Sequence, residues 1–227
     1  MTLRNSAAAL AVLLLIAGPA WAAGGPYVVD DSEIGDPGDC KVETWGSRSD
    51  TSDNLGVVSP ACVFTALPML ELGLNAQRGR AGGAYETLVG PKMKASLVPI
   101  DQFGVGIGFM ASAGYSTTQD RADSVLAFIP FTVTPVEELR LNLNLGWAWD
   151  RAAHRHFATG GVGAEWQMHP RLALIGEVYG QDAGRWAKQI GLRPTVIEKL
   201  LDLDLVYGRN IDGARSNWFT FGAIVKF

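Results

Sequence analysis

The chain has 227 residues, with 19 Lys and Arg against 23 Asp and Glu, a formal net charge of −4, and 48% apolar residues. Mild acidity gives no electrostatic footprint for a nucleic-acid partner. After Ile16 no apolar run approaches the about 20 residues that a transmembrane helix needs.

The N-terminus carries Arg4, then a continuous apolar run from Ala7 to Ile16, then Ala20-Trp21-Ala22 as a small-x-small box before Ala23. The run is too short to span a bilayer as a retained helix, so residues 1–22 read as an export signal that is removed. Losing Arg4 takes the charge from −4 to about −5. No cysteine follows the box directly, which argues against a lipidated N-terminus. Residues 23–39 are rich in Gly, Pro and Asp without periodicity and read as a periplasmic arm. Asp30, Asp31, Glu33, Asp36 and Asp39 make that arm acidic, at spacings that match no calcium loop. It is expected either to be solvated or to fold as a plug against basic residues.

Cys40 and Cys62 are symmetric about the polar stretch Asp50-Thr51-Ser52-Asp53. In a symmetric hairpin they lie opposite each other, and the oxidising periplasm allows them to pair, so a cross-strand disulfide is predicted. No His or further Cys stands at ligand spacing, so no metal or other cofactor is expected.

From Cys40 onward the chain divides into about twelve alternating segments. They lie near Cys40 to Ser49, Leu55 to Thr65, Met69 to Arg78, Tyr85 to Val98, Phe103 to Ser116, Ser124 to Val133, Leu139 to Asp150, Phe157 to Met168, Leu172 to Gln181, Trp186 to Arg193, Leu201 to Arg209 and Asn217 to Phe227. Every second connection is short and carries a proline, Pro68, Pro99, Pro135, Pro170 or Pro194, and the intervening ones are polar and rich in Asp and Gly. Short turns on one side, longer loops on the other and an even strand number are expected. Pro60, Pro91 and Pro130 fall inside strands and suggest bulges. In the last segment Phe219, Phe221, Ala223, Val225 and Phe227 share one face, the pattern of a terminal insertion signal for the outer-membrane assembly machinery.

A Lys or Arg facing lipid at mid-membrane costs about 2–4 kcal/mol, so the phase of each strand can be read. Leu139, Leu141, Leu143, Leu145 and Trp147 must face out, putting Arg140, Asn142, Asn144 and Gly146 inside. Leu201, Leu203 and Leu205 put Asp202 and Asp204 inside. Phe103, Val105, Ile107 and Phe109 turn Gly104, Gly106 and Gly108 inward as bare wall. Trp147, Trp149, Trp166, Trp186 and Tyr207 sit near strand ends, where aromatic girdles form.

The resulting lumen carries both signs: Lys41, Lys92, Lys94, Arg140 and Arg193 against Glu43, Glu71, Glu165, Glu177, Asp202 and Asp204, with Lys226 as a further cation. Two readings stand open, a neutralised network closing a narrow barrel and a polar path selecting small solutes. The outer rim is rich in arginine, and Arg151, Arg155 and Arg185 are candidates for contacting lipopolysaccharide phosphates. No catalytic residue is assigned. His154 and His156 sit in an outer loop and His169 in an inner turn, and no serine stands beside a histidine in the His-x-Ser pattern of outer-membrane phospholipases.

Tyr27-Val28-Val29-Asp30-Asp31, then Gly35-Asp36-Pro37-Gly38 running into Cys40-Lys41-Val42-Glu43-Thr44, resembles the opening of proteobacterial outer-membrane proteins related to the phenol meta-degradation transporter-like family. Leu143-Asn144-Leu145-Gly146-Trp147, Gly163-Ala164-Glu165, Gln189-Ile190-Gly191-Leu192-Arg193 and Leu205-Val206-Tyr207-Gly208-Arg209 look like its later strands. The resemblance implies a β-barrel with a transport role and no catalytic residues. The sequence therefore predicts an all-β antiparallel transmembrane barrel of about twelve strands over residues 40–227, in the outer membrane of a Gram-negative bacterium. Its favoured function is a narrow passive channel for small polar or aromatic solutes. A closed structural or ligand-binding barrel is the second reading and an outer-membrane enzyme the third.

Overall fold

A computed structural model describes residues 24–212 and 216–227, and for residues 102, 103 and 185 the backbone alone. The strands are β1 (Cys40–Ser49), β2 (Asn54–Val63), β3 (Leu70–Ala81), β4 (Ala84–Val98), β5 (Val105–Ser116), β6 (Arg121–Val136), β7 (Leu139–Asp150), β8 (Arg155–His169), β9 (Leu172–Gln181), β10 (Gly184–Ile197), β11 (Leu201–Asn210) and β12 (Asn217–Lys226), with one helical turn, α1 (Ile100–Phe103), between β4 and β5. Each strand pairs antiparallel with its sequence neighbours, and β1 closes on β12. Closure leaves no unpaired strand edge, which is what lets a β-structure cross hydrocarbon.

The alternation fixes which residues face lipid. On β7 Leu141, Leu143 and Leu145 are exposed, whereas Arg140, Asn142 and Asn144 are buried. On β11 Asp202 and Asp204 are buried and Leu205 is exposed. Phe219, Phe221 and Phe227 are all exposed on the outward face at the chain's end. Outward Trp147, Trp186 and Tyr207 near one rim and Trp166 near the other mark the two interfacial levels. The protein is an outer-membrane β-barrel. The rim where the Cys40 N–H donates to the Phe227 carbonyl (2.8 Å) is called the periplasmic one, the orientation expected from the sequence.

Cys40 and Cys62 face each other in the β1–β2 register and are joined by a disulfide. In the turn between these strands, Asp50 accepts from the Asn217 side-chain amide at 2.7 Å and its backbone N–H at 3.2 Å. Those bonds, the side-chain one foremost, hold the Asp50 carboxyl below the usual carboxylate range.

Three expectations are corrected. The two rims do not differ systematically in loop length, because connections 82–83 and 182–183 at the outer rim are as short as 137–138 and 170–171 at the periplasmic one. Gly82 and Gly83, with φ of 58° and 90°, make the tight hairpin that other residues adopt at a steric cost. Pro135 and Pro194 lie inside β6 and β10 rather than in turns. Pro60, Pro91 and Pro130 cause no bulge. Each keeps its partner on one side (Val42, Leu74 and Asn144), is skipped on the other, and leaves the register unchanged. A missing N–H weakens only the ladder it points into, so no extra residue is needed. The register shifts fall elsewhere, toward strand ends, as at Ser96/Val98 and Thr195/Ile197.

Candidate functional site

The lumen divides by depth. Near the outer mouth lies a cavity of about 480 Å³ lined by Ser47, Leu55, Gln77, Tyr85, Glu86 and Trp218 among others. A larger hollow of about 760 Å³ is framed mostly by outward Leu174, Ile190, Leu205, Phe219 and Phe221, and faces the lipid. Below the outer cavity, the periplasmic half of the lumen holds the chain's own arm.

The arm crosses the lumen in contact with one strand after another. The Arg193 guanidinium on β10 donates to the Gly24 carbonyl at 2.7 Å and to Asp204 at 2.8 Å, and lies 5.1 Å above the Tyr27 ring. Tyr27 packs with Ala173, Ile175 and Val206 in the one apolar cluster among the described buried residues. Gln189 donates to the Pro26 carbonyl at 3.0 Å, and Glu177 accepts from the Val28 and Val29 N–H groups at 2.8 and 3.0 Å. Asn144, with its amide turned to match, donates to the Asp30 carbonyl at 2.8 Å and accepts from its N–H at 2.9 Å. Thr132 accepts from the Ser32 N–H at 2.9 Å and donates to Asn142 at 2.8 Å.

The arm's carboxylates meet two wall cations. Lys94 lies 2.9 Å from Asp30 and 2.7 Å from Asp31, and Arg140 lies 3.0 Å from Asp31 and 2.5 Å from Glu33. Asp31 is 0% exposed. A charge so desolvated persists only when paired and hydrogen-bonded, as this one is. The chain then turns back along the periplasmic rim, where Gly38 donates to Val63 at 2.7 Å and Val63 to Asp39 at 2.9 Å, and enters β1 at the disulfide.

The lumen residues named from sequence fall into separate groups. Lys41 bridges Glu43 (3.3 Å) and Glu71 (3.1 Å), and Lys92 joins Glu43 at 3.2 Å. Lys226 pairs with Asp202 at 2.9 Å, and Thr195 donates to the same carboxylate at 2.7 Å. Glu165 is buried on β8, in register with Arg140, and one of its oxygens accepts no hydrogen bond.

The glycine wall differs from its expectation. Gly104 caps α1 in the left-handed region, φ 67°, and is not part of the wall. Gly106 and Gly108 are covered: a Cβ on either would press on Ser32. Gly161 and Gly163 likewise seat Val29, Gly191 seats Tyr27, and Gly222 seats Pro26. Inward glycines on strands mark close approach of another segment, and here that segment is the arm, mostly through its side chains. Sequence reasoning missed Thr132 and Gln189 as arm contacts; the run of inward glycines was the available signal.

At the outer rim Arg155 is exposed, with its guanidinium 5.4 Å above the Phe157 ring, and the Arg151 N–H donates to Asp123 at 2.9 Å. The Arg185 side chain lies outside the described residues. His156 stacks on Trp147, ring centres 5.4 Å apart, while His154 is in the loop and His169 ends β8, so the three form no common site. Among the described residues no three acidic, His or Cys side chains form a metal-binding group.

The fold is shared with solved outer-membrane barrels. The KdgM porin in complex with disordered oligogalacturonate matches with a TM-score of 0.65 and 9% identity over 82% of this chain and 99% of that one. The NanC porin matches at 0.63 and 7% identity, over 82% and 100%. The COG4313 outer membrane channel from Pseudomonas putida F1 matches at 0.62 and 9%, over 86% and 97%. No curated protein is similar in sequence. A family model described as Uncharacterised conserved protein UCP029691 matches residues 11–227, and the chain belongs to that family.

Proposed function

We propose that the protein is a narrow passive channel for small polar or aromatic solutes, with the N-terminal arm as its constriction and the lumen charges as its selectors. The observation that carries this reading is the division of the lumen into an outer cavity and an inner half occupied by the N-terminal arm rather than by the barrel wall itself. The porin and channel names of the structural neighbours agree with it. Twelve strands lie between the filled barrels of eight and the open pores of 16–18, so a segment inside the lumen decides the bore.

Single-channel recording in planar bilayers tests this. The full chain is expected to give small steps, and a chain lacking residues 24–38 larger ones. Unaltered steps would remove the arm as constriction. Silence from both, with insertion verified, would establish the second reading, a closed structural or ligand-binding barrel, which the dense ion pairing favours.

The same reading assigns residues 1–22 as an export signal, residues 23–39 as the arm, and Phe219, Phe221 and Phe227 as the insertion signal read by the assembly machinery. Arg151, Arg155 and Arg185, with outward Arg48, Arg78 and Arg209, are assigned to lipopolysaccharide phosphates; unchanged lipopolysaccharide co-purification after replacing Arg151 and Arg155 would remove those two. Kinship with the phenol meta-degradation transporter-like family rests on the arm and strand motifs. No catalytic role is proposed.

A further inference from the structure

The wall treats the arm as a peptide. Gln189 reads the Pro26 carbonyl, Glu177 two consecutive N–H groups, Asn144 both backbone groups of Asp30, and Thr132 the Ser32 N–H. These contacts come from side chains on β6, β7, β9 and β10 and engage main-chain atoms that any extended peptide presents. Discrimination is added by charge: Lys94 and Arg140 take the carboxylates of Asp30, Asp31 and Glu33. This is the division of labour of peptide-binding proteins, with backbone hydrogen bonds holding the segment and side-chain pockets choosing it.

The fit is also incomplete. With the arm in place, the Tyr27 hydroxyl, the Ser32 hydroxyl and one Glu165 oxygen are buried without a hydrogen-bond partner. Release of the arm returns its two hydroxyls to water, which lowers the cost of displacing it. Apolar anchoring comes from Tyr27 in its cluster and from Val29, seated on Gly161 and Gly163, and the rest of the arm's hold is polar.

We infer that the periplasmic half of the lumen is a binding site for an acidic peptide in extended conformation, and that the arm is its resident, displaceable occupant. The inference deepens the channel reading by naming the class of solute that competes with the arm, and its test reads binding, not current. A barrel that conducts but binds no peptide overturns the inference alone; a silent barrel that binds peptide overturns the channel reading alone.

The test uses the full chain in detergent micelles, with folding checked by heat-modifiable gel mobility. The probe is a fluorescent decapeptide of the arm sequence, Gly-Gly-Pro-Tyr-Val-Val-Asp-Asp-Ser-Glu, followed by anisotropy. The triple variant Asp30→Asn, Asp31→Asn, Glu33→Gln weakens the arm's own hold and is expected to bind the probe about 10-fold tighter than the native chain. Adding Lys94→Gln to it should reverse the gain, and a probe ending Asn-Asn-Ser-Gln should bind about 10-fold more weakly. Should the triple variant not fold, Glu33→Gln alone, which loosens the arm's hold on Arg140 and leaves the wall unchanged, is expected to tighten probe binding in the same direction. Equal binding by the native and loosened chains, or equal binding of the acidic and neutral probes, would overturn the inference.

Discussion

Toward the outer mouth the lumen is lined by Ser47, Gln77 and Trp218 with Asp53, Arg80 and Glu86 at the rim, while toward the periplasm the wall carries the buried Lys94, Arg140 and Arg193 and the largely buried Lys41 with Glu43, Glu71, Glu177 and Asp204. The difference follows what fills each half. Water can enter the outer cavity and needs no fixed partner. In the inner half Lys94, Arg140 and Arg193 are buried, and each sits against a carboxylate from the wall or the arm. Charge is therefore concentrated where peptide replaces water, and the two halves should respond very differently to substitution.

The largest effect is expected from Asp31→Ala, which leaves Lys94 and Arg140 each without one carboxylate partner in a buried site. Breaking such a pair costs about 3–5 kcal/mol, to be measured by urea unfolding of the micelle-inserted barrel, and single-channel steps should grow. A loss under about 1 kcal/mol would show that water already enters the inner half, erasing the contrast.

Next comes the root of the arm. Cys62→Ser opens a link between residues 22 apart and is expected to lower stability by about 2–4 kcal/mol. Because β1 and β2 stay paired, that loss should appear in unfolding while conductance stays near the native value. Matching losses in both would mean that the disulfide positions the arm.

Gly106→Val should be milder, about 1–3 kcal/mol, because its side chain collides with Ser32 and not with barrel backbone. Limited proteolysis is expected to cut the arm faster in this variant. In the outer half Ser47→Ala removes only the 2.6 Å bond to Thr220 and should cost about 0.5–1.5 kcal/mol or less, with no change in arm protection.

Smallest is the acid response of the turn at Asp50. Its carboxyl is held low by Asn217, so the clasp between this turn and β12 is intact above the ordinary carboxylate value and is lost as pH falls through the lowered one. The Asn217 amide resonance, followed by NMR, should titrate there. Titration at the ordinary value would show that the clasp does not form.

Much of the barrel was legible in the sequence because a strand's two faces meet opposite solvents. Leu141, Leu143 and Leu145 could only face lipid, and alternation then puts Arg140, Asn142 and Asn144 inside, where they are found. The cysteine pairing followed from hairpin symmetry and is the observed link. Loop lengths and the effect of strand prolines differ from the expectation, since turn chemistry leaves weak local signals and a proline's missing N–H concerns one neighbour only. Alternation puts Gly106 and Gly108 on the inward face but does not show that Ser32 covers them, because what covers a glycine is not written beside it.

By itself the sequence determined the alternation, the strand number, the lipid-facing surface and the cysteine pair, all of which depend on neighbours in the chain or across one hairpin. Only the tertiary structure decided what occupies the lumen. Asp31 meets Lys94 across 63 residues and Arg140 across 109, and Glu177 takes the Val29 N–H across 148. No local pattern encodes such contacts. They exist because closure of β1 on β12 brings β4, β7 and β9 around one narrow space, where an acidic segment is the available partner for cations that burial would otherwise make unstable.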